Sequence, residues 1–260
     1  TLDDHLPYHG HWRIATNLPD ISQSDFVKSI LLMYNLVPFV DARNKVLTLT
    51  KFSTITDRSR ANDWSEYVAN DQPLIKLHAT GYAQLNTITY KQDDNVEGNY
   101  DGQFTVDDTT LNLKKNLVEL PYSGCDLGEC LNGLLVAECL RVLQDSSTAT
   151  PSPKILTVAS DSQGCTLEDS SFNVTESITH YATFTDDLQS LIDTYYVEFV
   201  EMLQRYKECL FEMILPEYII QELDISKPVY IAKHGSYFYI NKVDAWKDGL
   251  TRCKVTLIKL

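Results

Sequence analysis

The chain has 260 residues, 43% of them hydrophobic, with 22 Lys and Arg against 36 Asp and Glu and a net charge of −14. That length allows one large domain or two ordinary ones with real cores. The acidic balance argues against nucleic-acid binding, which needs cationic neutralisation of phosphate, and no apolar run approaches the roughly 18 residues of a membrane span.

The opening stretch, TLDDHLPYHG, lacks the charged and apolar blocks of a signal peptide. It reads as the start of a cut fragment, which leaves room for an upstream domain. His5, His9 and His11 sit near Tyr8 and Trp12. Three histidines at this spacing suit a metal, but no acidic or thiol ligand completes the set, and a polar linker or docking arm is the plainer reading.

A helix is predicted from Ser22. Ser22 is the N-cap and Asp25 the reciprocal residue of a capping box, with Ile21 and Phe26 forming a hydrophobic staple. Phe26, Ile30, Met33 and Tyr34 share one face. The helix ends near Asn35, and Pro38 prevents its continuation. A hairpin follows, with strands at 37–40 and 46–52 around a turn at 41–44. A helical turn is expected near 54–60, and Asp63 and Ser65 flank an anchoring Trp64. Strand character returns over 74–90, broken at Gly81.

The next stretch, 93–102, is an acidic loop, DDNVEGNYDG. Asp93, Asn95, Glu97, Gly98 and Asp101 match oxygen-ligand and glycine spacings of part of a calcium loop. The twelfth position is Phe104, where a bidentate Glu is required, so a solvated hairpin loop is the main reading. Residues 104–106, 111 and 116–120 continue as strand, and Pro121 to Gly124 stop it. Residues 131–143 are apolar without a clear period. Residues 145–153 form a Ser/Thr/Pro-rich loop, 154–159 a short strand, and 160–177 a polar loop. Asn173 heads a glycosylation sequon that carries no weight without a secretory signal.

A second helix is predicted over 185–206, its N-terminus complemented by Asp186 and Asp187. Leu188, Ile192, Tyr195, Phe199, Met202 and Tyr206 form one apolar seam that suits packing across a sheet better than a trimeric coiled coil. Residues 208–213 fit either a helix or a strand until Pro216, and 216–223 a short amphipathic helix. The chain closes in a three-stranded antiparallel meander at 228–231, 236–243 and 251–260. Val229 and Ile231 mark its first strand. Cys253, Val255 and Leu257 share one face of its last strand, with Arg252, Lys254 and Thr256 on the other.

The six cysteines are Cys125, Cys130, Cys139, Cys165, Cys209 and Cys253. Cys125 and Cys130 are spaced C-x4-C with Cys139 following, but no matched second pair or His pair completes a zinc set, and reduced core thiols are the plainer reading. The expected fold is α+β and mostly antiparallel, with barrel- or sandwich-like subdomains and two main amphipathic helices. Its expected parts are an N-terminal arm with a helix–hairpin docking unit (1–62), a β-rich middle domain (63–160), and a long helix with the meander (161–260) packed against 1–62.

Three strings together resemble a known family. They are NLPDISQSDFVKSILLMYNLVPFVDARNKVLTL at 17–49, YAQLNTITYKQDDNVEGNYDGQFTVDDTTLNLKKNLVELPY at 82–122, and LDISKPVYIAKHGSYFYINKVDAWKDG at 223–249. They are similar to tail proteins of tailed phages and prophages of gut bacteria, on the plan of tail-tip and baseplate hubs. The resemblance covers roughly half the chain, and its strings carry no active-site signature. It implies a helix-plus-hairpin unit, a β-rich middle and a terminal β domain, and it favours a strand over 207–215. It also implies ring assembly around the tail channel, commonly as a trimer, with other tail proteins as partners and phage DNA only passing through. The protein would be made in the bacterial host cytoplasm and reside in the virion tail. Nothing in segments 124–145 and 160–177 contributes to this resemblance.

An acidic lining would suit a DNA conduit, since like charge prevents adhesion, although acidic surfaces also simply aid solubility. No nucleophile elbow, zincin motif or phosphate loop is present, and no cofactor is expected. Adjacent carboxylates at Asp107-Asp108, Glu168-Asp169 and Asp186-Asp187 supply acids for a cell-wall hydrolase, but such adjacent pairs are usually solvated surface or helix caps. Fifteen tyrosines and three tryptophans would suit a glycan-binding face, but Tyr237 and Tyr239 alternate along a strand, where cross-strand packing explains them. The expectation is a non-enzymatic structural subunit, with a glycan-binding module or a cell-wall hydrolase as the alternatives.

Overall fold

A computed structural model of the chain describes residues 21–41, 44–70, 72–129, 133–137, 152–169, 174–244, 246–247 and 252–260. Helix α1 (Gln23–Met33) starts at Ser22, whose hydroxyl accepts from the Asp25 N–H and donates to the Asp25 carboxylate. The first bond satisfies a donor that the first turn would otherwise leave orphaned, and the second fixes the capping hydroxyl. Tyr34 caps the C-terminus, and Asn35 follows in the left-handed region at φ 47°, which asparagine tolerates better than most residues. Strands β1 (Leu36–Asp41) and β2 (Val46–Lys51) then form a two-stranded ribbon.

Helix α2 (Phe52–Ile55) and a 3₁₀ turn at Arg58–Arg60 lead to β3 (Asn62–Asp63), a second 3₁₀ turn at Ser65–Tyr67, and β4 (Leu74–Lys76). A small sheet follows: β5 (Leu85–Thr89) lies between β6 (Gly102–Thr105) and β7 (Lys114–Glu119), antiparallel to the first and parallel to the second. Strands β8 (Leu127–Glu129) and β9 (Leu135–Ala137) pair with each other, as do the longer β10 (Thr157–Asp169) and β11 (Val174–Thr183). Helices α3 (Leu188–Tyr195) and α4 (Val197–Gln204) precede β12 (Glu208–Ile214) and α5 (Glu217–Gln221). The chain then makes β13 (Val229–Ile231), β14 (Ser236–Asp244) and β15 (Arg252–Lys259). The expected α+β class and C-terminal meander are therefore present, and 208–214 is a strand.

The meander sits in a six-stranded sheet of order β3-β13-β14-β15-β12-β4. Its two sides are drawn together by residues 62–69. On one side Asn62 N–H donates to Pro228 O and Trp64 N–H to Tyr230 O; on the other Ala69 N–H donates to Glu212 O, and Val68 bridges to Met213. The sheet thus curls into a small barrel, helped by a register shift in β14 between Ile240 and Lys242 that sharpens its bend. Trp64 plugs the inside, with Cys209, Phe211 and Met213 of β12, Val229 and Ile231 of β13, Phe238 and Ile240 of β14, and Cys253, Val255 and Leu257 of β15. The sequence division at 62/63 falls within this closing strap.

A second core lies between the β5–β7 sheet and α1 to α4. Met33, Phe52, Ile88, Phe104, Leu120, Tyr122, Leu188, Ile192, Met202 and Leu203 are buried there. Gly102 is required where β6 meets α3, because a Cβ at that position would lie 2.6 Å from Ile192 Cδ1 and 2.7 Å from the Leu188 carbonyl carbon.

Three expectations are corrected. The helix over 185–206 is two helices, broken at Tyr196. That residue is buried, its ring is stacked 6.0 Å from Phe104, and its hydroxyl donates to Leu32 O at the end of α1. The break turns Leu191, Tyr196 and Leu203 into the core and leaves Tyr195, Phe199 and Tyr206 half-buried. Phe26 is 48% exposed instead of buried; the side of α1 that faces inward carries Ser29, bonded to the Tyr122 hydroxyl, and Met33, while Ile30 is half-buried. Residues 160–177, expected as loop, belong largely to the β10–β11 hairpin.

Leu188→Ala removes a fully buried side chain at the α3–β6 contact and should cost about 2–5 kcal/mol, read as a lower urea midpoint at unchanged slope. Phe199→Ala, at a half-buried ring, should cost less than Leu188→Ala in the same measurement.

Candidate functional site

The loop that resembles a calcium loop is held by the chain's own donors. Asp93 Oδ2 lies 3.2 Å from Lys154 Nζ, and these side chains are only 3% and 5% exposed. The same carboxylate accepts from the N–H groups of Asn95 and Ser152 and from the Ser123 hydroxyl. The Lys154 ammonium also donates to Ser123 Oγ at 2.7 Å and Gly124 O at 2.8 Å. A buried charge is tolerated when it is paired and its remaining hydrogen bonds are made, and both conditions hold here. Burial alone would raise the Asp93 pKa, but the hydrogen bonds from Asn95 and Ser152 and the neighbouring ammonium outweigh it and hold the carboxyl well below the usual range.

The other candidate ligands point to separate tasks. Asp101 Oδ1 accepts from Tyr90 N–H at 2.8 Å. The backbone N–H groups of Glu97 and Gly98 and the Tyr100 hydroxyl all donate to Asp126, whose carboxyl is also held low. Asn95 donates its amide to Asp93, and its Oδ1 is buried with no hydrogen-bond partner. Among the described residues no group of three or more His, Cys, Asp or Glu gathers where it could hold a metal ion. The histidines His5, His9 and His11, together with Cys130, Cys139 and Asn173, lie outside the described residues; Cys125 is buried beside the loop.

A larger cleft of about 890 Å³ opens at the C-terminal end of α4. It is lined by Arg58, Arg205, Lys207 and Lys259 and by Asp107, Asp108, Glu198 and Glu201, over apolar surface from Leu77, Met202, Leu203 and Leu260. Gln204 pins α4 to the acidic side, accepting from Asp107 N–H at 2.8 Å and donating to Thr105 O at 3.1 Å. Of the paired carboxylates read from the sequence, Asp107-Asp108 alone lines this cleft, and Asp108 is 3.3 Å from His78. Asp187 caps α3 through the Ser190 N–H, and the neighbouring Asp186 accepts from the Tyr34 hydroxyl, so that pair has structural tasks.

Two apolar surfaces face outward. On the β1–β2 ribbon Pro38 lies opposite Leu49 and Val40 opposite Leu47, so all four share a face, and all four are exposed, Val40 to 73%. Beyond β12, the edge strand β4 exposes Leu74 to 72%, and Ile75 and the following Leu77 are also exposed. The ribbon belongs to the segment expected from the sequence to be a docking unit, whereas no sequence signal marks the β4 edge or the cleft. No protein-family profile matches the chain, and no curated protein sequence does.

Asp93→Asn should destabilise the fold by about 3–5 kcal/mol, because it leaves Lys154 buried without its counter-charge. The paired change Asp93→Leu with Lys154→Met should cost less than Asp93→Asn alone, as judged by urea denaturation. Because the folded-state pKa of Asp93 is depressed, its contribution is complete above the unfolded value of about 3.9 and is lost as pH falls through the folded pKa. The wild type should therefore lose stability on acidification below that point more steeply than Asp93→Asn does.

Proposed function

We propose that the chain is a structural, non-enzymatic subunit of a phage tail tip or baseplate, assembling as a ring of copies around the tail channel. The observation that supports this reading best is the β1–β2 ribbon. An isolated two-stranded ribbon is marginal in water unless one face is covered. Val37 of this ribbon packs against the helical core, yet the opposite face presents Pro38, Val40, Leu47 and Leu49 to solvent.

A face of that kind is complete only when a second surface covers it. The occupant proposed is another copy of the chain. A head-to-tail contact between unlike surfaces of identical copies closes into a ring when its rotation allows. The net charge of −14 supports the same reading, since an acidic lining repels a passing polyanion. The resemblance of 17–49, which contains β1 and most of β2, to tail-hub proteins agrees with the role assigned to the ribbon.

Sedimentation velocity tests the assembly. The wild type should self-associate as its concentration rises, and Leu47→Asp or Leu49→Asp should shift it to monomer with an unchanged far-UV circular dichroism spectrum. A wild type that stays monomeric at every concentration, or substituted proteins that associate as it does, would overturn the reading.

A further inference from the structure

The cleft and the β4 edge are neighbours, and together they describe a binding site of a particular kind. Strand β4 pairs through Leu74, Ile75 and Lys76 with Leu210, Cys209 and Glu208 of β12, and it pairs with no other strand among the described residues. Its outer edge therefore presents backbone donors and acceptors in strand geometry. Immediately after it, Leu77 enters the wall of the cleft.

The cleft gathers charges of both signs. Arg205, Lys207 and Lys259 make no ion pair among the described residues, and neither do Asp107, Glu198 and Glu201. Lys207, just before β12, and Lys259 of β15 are immediate neighbours, the Lys259 N–H donating to Lys207 O at 2.9 Å, and like charges so placed repel. Other exposed charges of the chain are paired, as in Lys76 with Glu208 at 2.8 Å and Lys242 with Asp244 at 2.8 Å, while some, such as Lys114 and Lys254, make no ion pair among the described residues. The cleft leaves both signs unanswered above an apolar floor.

We propose that the β4 edge and this cleft bind an extended peptide strand that carries an acidic and a basic side chain. The peptide adds to β4 by main-chain hydrogen bonds, which is strand addition at an open sheet edge. Its apolar side chains lie on Leu74, Ile75 and Leu77. Its carboxylate meets Lys207 and Lys259, and its ammonium meets Asp107 or Glu201. A volume of about 890 Å³ is ample for a few residues, since drug-sized ligands fill roughly 300–1,000 Å³. The site is independent of the β1–β2 ribbon, so its failure would leave the ring reading standing.

The probe is a capped nonapeptide of alternating valine and threonine with a glutamate near one end and a lysine near the other. A second peptide has the glutamate replaced by lysine, and a third has proline at its centre. Backbone amide shifts of the full chain are followed by NMR as each peptide is added. The first peptide should shift residues 74–77, 205–207 and 259, and the proline peptide should not. Lys207→Glu, an exposed substitution that leaves the fold intact by circular dichroism, should weaken the first peptide roughly tenfold and strengthen the second. Asp107→Lys should likewise weaken the first. The proposal is overturned by the absence of shifts at millimolar peptide, by binding indifferent to proline and to charge, or by the same shifts arising on concentrating the protein alone, which would assign the edge to self-pairing.

Discussion

Two hydrophobic cores share one sheet, and the rest of the molecule is arranged around that sharing. On β15 the odd positions Cys253, Val255 and Leu257 point into the barrel. At the end of the same strand Ile258 and Leu260 turn to the helical core, where Tyr239 of β14 joins them and approaches Phe52 at 6.3 Å between rings. Because strand side chains alternate with period two, a one-residue slip would exchange the two sets. The inward set would then face the helices and the outward set the barrel. At this end of the sheet register is therefore specified from both faces at once, while Arg252 and Lys254 at the other end of β15 face solvent.

Helix placement follows from the outward set. The kink at Tyr196 lets α3 lie against β6 and α4 against α2, and Phe199 bridges the junction, with ring centroids 5.3 Å from Phe52 and 5.7 Å from Tyr82. A single straight helix over the same residues would present one stripe in one direction. Two short helices present two, one toward β6 and one toward α2. The buried pair of Asp93 and Lys154 does a comparable task beside the β5–β7 sheet: it ties residues 152–154 to the loop before β6.

Local signals were legible in the sequence and distant pairings were not. The Ser22–Asp25 cap, the hairpin after α1, the short helix after Pro216 and the terminal meander are each encoded within a few residues, and each is present. The inward face of β15 was readable from simple alternation. The kink at Tyr196 was not readable, because 188, 192, 195, 199, 202 and 206 keep a continuous helical spacing. What breaks the helix is a buried tyrosine whose hydroxyl answers the Leu32 carbonyl, more than 160 residues earlier. At 93–101, where a solvated hairpin loop is the main expectation, the buried charge pair is hidden from the sequence for a related reason. The loop's oxygens match metal spacing, but the cation that neutralises Asp93 is an ammonium 61 residues downstream, and short-range patterns carry no information about it. The β10–β11 hairpin was hidden by polar composition, since two strands that chiefly pair with each other need no apolar alternation to form their ladder. The β4 edge was read as strand, but only its neighbours in space make it an open edge.

The strap at 62–69 sets an order of events as well as a shape. Its backbone partners are Pro228 and Tyr230 on one side and Glu212 on the other, so during synthesis on a ribosome it must wait for more than 160 further residues to emerge. Until then Trp64 has no cavity to enter. Long-range closure of this kind slows folding and leaves an aromatic anchor in water meanwhile. The barrel is thus a clasp fastened by an early piece of chain around a late one, and a nascent chain halted before residue 228 would carry the strap without its catch.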